Sequence, residues 1–151
     1  MRLFRLVAVS IAASFAPCTC LVAGAENSAN EKPIQDSRQV ITINLEQAKK
    51  LHELGATFID IRSPESWRIG HIDKALNFDF YEDLNGIKQS PQIAKDTPLV
   101  FYCESSECVQ AAYASAVSLF WGYDKVFYFQ DGYFAWLLKD YPIESLVTRL
   151  N

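Results

Sequence analysis

Short apolar runs that alternate with stretches of helical spacing constrain this chain more than any other feature. Five runs read as strands: "QVITI", "TFIDI", "ALNF", "PLVFYC" and "KVFYF". Between them Leu45, Ala48, Leu51 and Leu54 recur at helical spacing until Gly55. Asn44 is the expected N-cap of that helix, with Gln47 three residues on as its capping-box partner. "SPESWRIG" reads as a short helix with Ser63 as cap and Pro64 in its first turn. The connection from Asp79 to Asp96 is polar, with room for one helical turn. Val109, Ala112, Tyr113, Ala116, Val117 and Phe120 define the expected inner face of a fourth helix ending at Gly122, and "GYFAWLLKD" gives a last one. Such alternation predicts an α/β domain with a five-stranded, mainly parallel sheet flanked by helices on both faces. "PLVFYC" is apolar at consecutive positions, so it is expected to be central and parallel.

The ends of the chain differ from this pattern. "MRLFRLVAVSIAASFAPCTCLVAGA" has two early arginines, an apolar middle interrupted by Pro17 and a small-residue ending. That is the layout of a secretory signal peptide, 1–25, with cleavage expected after Ala25. The apolar run is too short and interrupted to span about 30 Å of hydrocarbon, so no stable membrane insertion is expected after processing. Residues 26–38 read as a flexible leader, 39–145 as the single domain and 146–151 as a tail. Losing Arg2 and Arg5 takes the formal charge from −4 to −6. An acidic domain without a basic run argues against nucleic acid as a partner. Of four cysteines only Cys103 and Cys108 remain, in an exported, periplasmic setting that permits disulfides.

These two cysteines bound the loop "CESSEC" where the fourth strand leads into the next helix. In parallel sheets ligands bind beyond the carboxyl ends of strands. Backbone N–H groups of a tight turn and a helix start favour a thiolate there, the nucleophilic form of the sulfur. By this reading Cys103, at the strand end, is the candidate nucleophile and Cys108 begins the helix. Two blander readings stay open at this point. Cys103 could be a buried, inert cysteine, or the pair a plain structural disulfide, which needs Cα atoms within roughly 7 Å.

"FIDIRSPESWRIGHIDKALNF" resembles the rhodanese-like pattern of an Asp-x-Arg strand, a short helix and Gly-His-Ile before an Ala-x-Asn strand. "LVFYCESSEC" sits where that family carries its active-site cysteine loop, and "WGYDKVFYFQDGYFAW" is similar to its closing strand, glycine turn and Ala-Trp helix. The resemblance runs from Ile41 to Ile143. It implies that Cys103 takes a sulfane sulfur from a small-molecule or protein donor, holds it as a persulfide and passes it to a thiol acceptor. It also places Asp60, Arg62 and His71 at recurring positions, read as scaffold: Asp60 and Arg62 bracing the strand ends, His71 making a fixed hydrogen bond. Gly132 and Trp136 read as a turn and a core anchor. No cofactor and no metal are expected.

The loop departs from that pattern. Glu104, Ser105, Ser106 and Glu107 offer no basic side chain to grip an anionic donor such as thiosulfate. With both glutamates in water about 8 Å from the sulfur, each weakens the thiolate by roughly 0.5 kcal/mol. A phosphatase needs a longer loop ending in arginine, which is absent. Cys108 suggests a resolving thiol that attacks a persulfide on Cys103 and closes a disulfide. Three functions therefore compete: a sulfurtransferase or persulfide carrier, a thiol–disulfide redox protein using both cysteines, and a non-catalytic binding module.

Overall fold

The computed structural model describes residues 38–147; the expected signal segment, residues 26–37 of the leader and residues 148–151 of the tail lie outside the described residues. The order is β1 (Ile41–Ile43), α1 (Leu45–Glu53), β2 (Thr57–Asp60), α2 (Pro64–Ile69), β3 (His71–Ile72), β4 (Leu76–Asn77), α3 (Gly86–Gln89), β5 (Leu99–Tyr102), α4 (Gln110–Phe120), β6 (Val126–Phe129), α5 (Gly132–Leu138) and β7 (Ile143–Glu144). β1, β6, β5, β2 and β4 lie side by side in that order, all parallel. The central strand is β5, the run that is apolar at consecutive positions. Its residues alternate between two cores because successive side chains point to opposite faces. Val100 and Tyr102 join Ile43, Phe58, Phe129 and Trp136, while Leu99 and Phe101 join Ile59, Ala111, Ala114 and Tyr123.

Local chemistry explains most element boundaries. Asn44 caps α1 by accepting from the Gln47 amide, and the Gln47 side chain returns the bond to the Asn44 amide, both at 3.0 Å. Ser63 caps α2 with Pro64 at its start. Among the described residues no helix is long and apolar enough to cross a membrane.

Three expectations need correction. Leu54 caps the end of α1 and is exposed, not part of its inner face. The antiparallel pair of β3 and β7, joining His71 to Glu144 and Ile72 to Ile143, has no sequence signature because each strand is only two residues long. The largest change concerns α4. It turns Ala111, Ala114, Ser115 and Ser118 inward, leaving Val109 just before it and Tyr113 and Phe120 on it exposed. Small residues let the helix lie close to β5 and β6, and the serine hydroxyls donate back to the Ala111 and Ala114 carbonyls at 2.7 and 2.8 Å. With those hydroxyls satisfied, the polar stripe is the buried one.

Candidate active site

Cys103 follows the last residue of β5 directly and is 95 % buried, at 5 % exposure. The chain then curls through Glu104 to Glu107, and the Cys108 amide closes a turn onto the Ser105 carbonyl at 3.1 Å. That turn keeps Cys108 two residues ahead of the first helical residue, Gln110, correcting the expectation that it begins the helix. The curl brings the Cα atoms of Cys103 and Cys108 to 6.1 Å, and the two sulfurs are bonded as a disulfide. Ser105 is half-buried and Ser106 exposed; neither lines the cavity at the cysteines.

The start of α5 holds this loop from below. The Tyr133 amide donates to the Cys103 carbonyl at 2.8 Å and the Phe134 amide to the Glu104 carbonyl at 2.9 Å. Gly132 makes the approach possible. Its φ is +71°, and a Cβ there would lie 2.7 Å from the Ser105 amide nitrogen and 2.8 Å from the Cys103 carbonyl oxygen. Sequence reasoning found the glycine as a turn and missed that Tyr133 and Phe134 grip the loop. Backbone donors leave no side-chain signal.

Beside the loop stands a fully buried bracket. Arg62 Nε donates to both Asp60 oxygens at 2.9 and 3.1 Å, and another guanidinium nitrogen reaches Asp60 Oδ2 at 2.6 Å and the Gly70 carbonyl at 2.8 Å. Tyr102 donates its hydroxyl to Asp60 Oδ2 at 2.7 Å and accepts the Ile72 amide at 3.2 Å. The guanidinium also lies over the Tyr133 ring, 4.1 Å from its centre. Burial alone would lower the Arg62 pKa, but the hydrogen bonds and charge of Asp60 more than offset it and leave it raised. Burial first, and then the Asp60 carboxylate, hold the Tyr102 hydroxyl well above the usual phenol range, so it stays a donor. His71 lies elsewhere: its Nδ1 is 2.7 Å from the Trp67 carbonyl oxygen, its Nε2 is 3.3 Å from Glu144, and its ring stacks on Trp67.

Glu104 is the correction with chemical weight. Its carboxylate does not stand in water about 8 Å away but places Oε2 2.7 Å from Cys103 Sγ. A disulfide carries no S–H, so this contact becomes a hydrogen bond only after reduction. Even with full water screening the same Coulomb rule then gives about 1.5 kcal/mol against the thiolate, roughly threefold the expectation, and burial of the sulfur raises that floor. Glu107 is exposed, as expected. Cys103, Glu104 and Cys108 offer ligand atoms within 4.8 Å of one another, and the two sulfurs could serve as thiolate ligands only when reduced.

Two cavities meet at this point. One of about 160 Å³ is lined by Arg62, Asp79, Phe80, Tyr81, both cysteines, Glu104 and Gln110. The other, about 270 Å³, is bordered by Arg62, Ile69, Glu104, Tyr133 and Phe134. Asp79, Phe80, Tyr81 and Gln110 escaped sequence reasoning because they sit in a connection without periodicity or at a helix start. Asp79 accepts the Tyr81 and Glu82 amides at 2.8 and 2.9 Å, and the Phe80 amide donates to the Ile61 carbonyl at 3.1 Å, which pins that connection to the site. A cavity of about 280 Å³ opens at the opposite end of β2, beside His52 and Asp73, and contains no cysteine.

The fold and the cysteine loop at the end of the central strand define a class, and comparison with known proteins agrees with it. Residues 44–139 match the model of the rhodanese-like domain; the chain belongs to that family. It is 32 % identical over 100 residues to a thiosulfate sulfurtransferase (GlpE) of Pseudomonas fluorescens, covering 66 % of this chain and 86 % of the relative. It is 29 % identical over 117 residues to rhodanese-like domain-containing protein 17 of Arabidopsis thaliana, covering 70 % and 74 %. Among solved structures, a human single-domain sulfurtransferase superposes with a TM-score of 0.59 at 24 % identity, over 67 % of this chain and 98 % of that one, a likeness of fold. A sulfurtransferase-type activity is thus supported at the level of the family.

Proposed function

We propose that this protein is an exported, periplasmic sulfurtransferase or persulfide carrier in which Cys103 accepts sulfur and Cys108 resolves it. The observation that supports this reading best is the pairing of Cys103, at the floor of a cavity beyond β5, with a second sulfur in bonding contact. In the reduced protein the Cys103 thiolate attacks a sulfane sulfur; with inorganic polysulfide, one sulfur is gained and the chain leaves one atom shorter. The persulfide then passes its outer sulfur to an acceptor thiolate, which regenerates Cys103 as thiolate. Without an acceptor, Cys108 attacks Cys103 Sγ, releases hydrosulfide and forms the disulfide, which a reducing dithiol reopens by exchange. Glu104 beside the sulfur, with no basic side chain in the loop, disfavours thiosulfate as the natural donor.

Mass spectrometry tests this. Reduced protein given polysulfide should gain about 32 Da per sulfur on Cys103, Cys103→Ser should gain nothing, and Cys108→Ser should keep the persulfide longer. Reduced Cys108→Ser that takes up no sulfur would overturn the proposal, since wild type can return to the disulfide and release hydrosulfide. A readily exchanged disulfide would then favour the thiol–disulfide redox reading, which the same sulfur pair supports, and a resistant one the binding module. Intact mass of periplasmic material lacking residues 1–25 tests the export.

A further inference from the structure

The surface around Cys103 is unusual for a site that would take small anions. On one side Tyr81 and Val109 are 79 % and 71 % exposed. Gln110 donates to the Tyr81 hydroxyl at 3.2 Å, and Phe80 packs edge-on against both Tyr81 and Tyr113. On the other side Ile69 and Phe134 are 64 % and 51 % exposed. Glu104 and Arg62 border both cavities, so the Tyr81 and Ile69–Phe134 flanks lie on either side of these two residues, with Cys103 in the wall of the first cavity. Isolated exposed apolar residues are ordinary, but aromatic and aliphatic groups gathered around one reactive atom mark a recognition surface.

Charge narrows the occupant. Among the described residues Arg62 is the one cation lining these cavities, and its Nε and one Nη are committed to Asp60 and the Gly70 carbonyl. Glu104 and Asp79 leave the cavity walls acidic, and Glu65, Glu82 and Glu107 are exposed on the segments that form its edges, against one exposed cation there, Arg68. An anion meets repulsion from these carboxylates. Cys103 is buried beneath a mouth of about 160 Å³, room for a narrow side chain.

Resting on the sulfur-transfer reading above, we infer that the acceptor is an extended segment of another protein. It carries a cysteine between apolar residues, with lysine or arginine at its ends. The apolar neighbours cover the Tyr81–Val109 and Ile69–Phe134 flanks, the cationic ends meet the acidic edge, and the cysteine enters the mouth. In the transfer the acceptor thiolate attacks the outer sulfur of the Cys103 persulfide. The new S–S bond forms on the acceptor as the old one breaks, and the electron pair returns to Cys103 as thiolate.

The test loads the reduced Cys108→Ser protein with polysulfide and follows sulfur arrival on three acceptors. One is a short peptide with a single cysteine between leucine and phenylalanine and lysines at both ends. The second is its twin with glutamates at the ends, and the third is glutathione. The lysine peptide should react with kcat/KM about tenfold or more above both others. The double substitution Tyr81→Ser, Phe134→Ser should lower its rate about tenfold relative to cyanide as acceptor. Phe120→Ser, which removes an exposed aromatic at the far end of α4, should leave that ratio unchanged. Equal rates for the two peptides, or a ratio insensitive to Tyr81 and Phe134, would overturn the inference while leaving sulfur transfer standing. Failure to load sulfur on Cys103 would overturn the transfer reading and this inference together.

Discussion

Two regions flank the same sulfur and are built on opposite principles. The bracket of Asp60, Arg62 and Tyr102 is buried and side-chain bonded throughout. The loop from Cys103 to Cys108 is half-exposed and held mainly by backbone donors from α5 and by its own disulfide. The bracket is a fixed wall because each charged group in it is lost at high cost. The loop can alter the chemistry of its side chains because few of them carry structural bonds. The difference teaches that charge near Cys103 has two uses: at Asp60 it fixes geometry, and at Glu104 it sets reactivity.

The strongest way to break this comparison is Asp60→Asn. It leaves the Arg62 guanidinium buried and uncompensated, so unfolding free energy should fall by about 3–5 kcal/mol. Adding Arg62→Met should restore part of that loss in chemical denaturation, because a neutral side chain of similar length needs no partner. No restoration would show that the bracket is not the ionic wall described.

Gly132→Ala comes next. A positive φ and a Cβ pressed against the loop backbone should cost about 2 kcal/mol. Because the collision falls on the loop, the Cys103–Cys108 disulfide should also be reduced faster by a small dithiol. Destabilisation without that change in reduction rate would mean that α5 does not hold the loop.

Glu104→Gln isolates reactivity from stability. In the reduced Cys108→Ser background the thiolate fraction of Cys103 near neutral pH should rise about tenfold or more, from a Coulomb effect of at least ~1.5 kcal/mol. The pH profile of alkylation measures it, with the unfolding midpoint nearly unchanged. Glu107→Gln should give the smallest effect, about twofold, as expected for an exposed charge at longer range. Equal responses at 104 and 107 would return Glu104 to solvent and erase the distinction.

Much of this architecture was legible before any coordinates. The consecutive apolar positions of Leu99 to Tyr102 required burial on both faces, and Asn44 with Gln47, or Ser63 with Pro64, announced helix starts. Cys103 stood out because a strand end facing a helix start in a parallel sheet is where ligands gather. Helix α4 was misread for a definite reason. Periodicity scores apolar side chains, whereas closeness of approach selected alanines and serines whose hydroxyls bond their own backbone.

By itself the sequence determined what acts locally: strand order along the chain, caps, glycine turns, the acidic balance and the presence of two cysteines in one six-residue loop. Tertiary structure decided what depends on distance between remote segments. It put the Tyr133 and Phe134 amides under the loop and Phe80 and Tyr81 at its mouth. It also set the Glu104 carboxylate 2.7 Å from sulfur, in the field of Arg62. Coulomb and hydrogen-bond energies change steeply over a few ångströms, and sequence spacing does not fix distances on that scale.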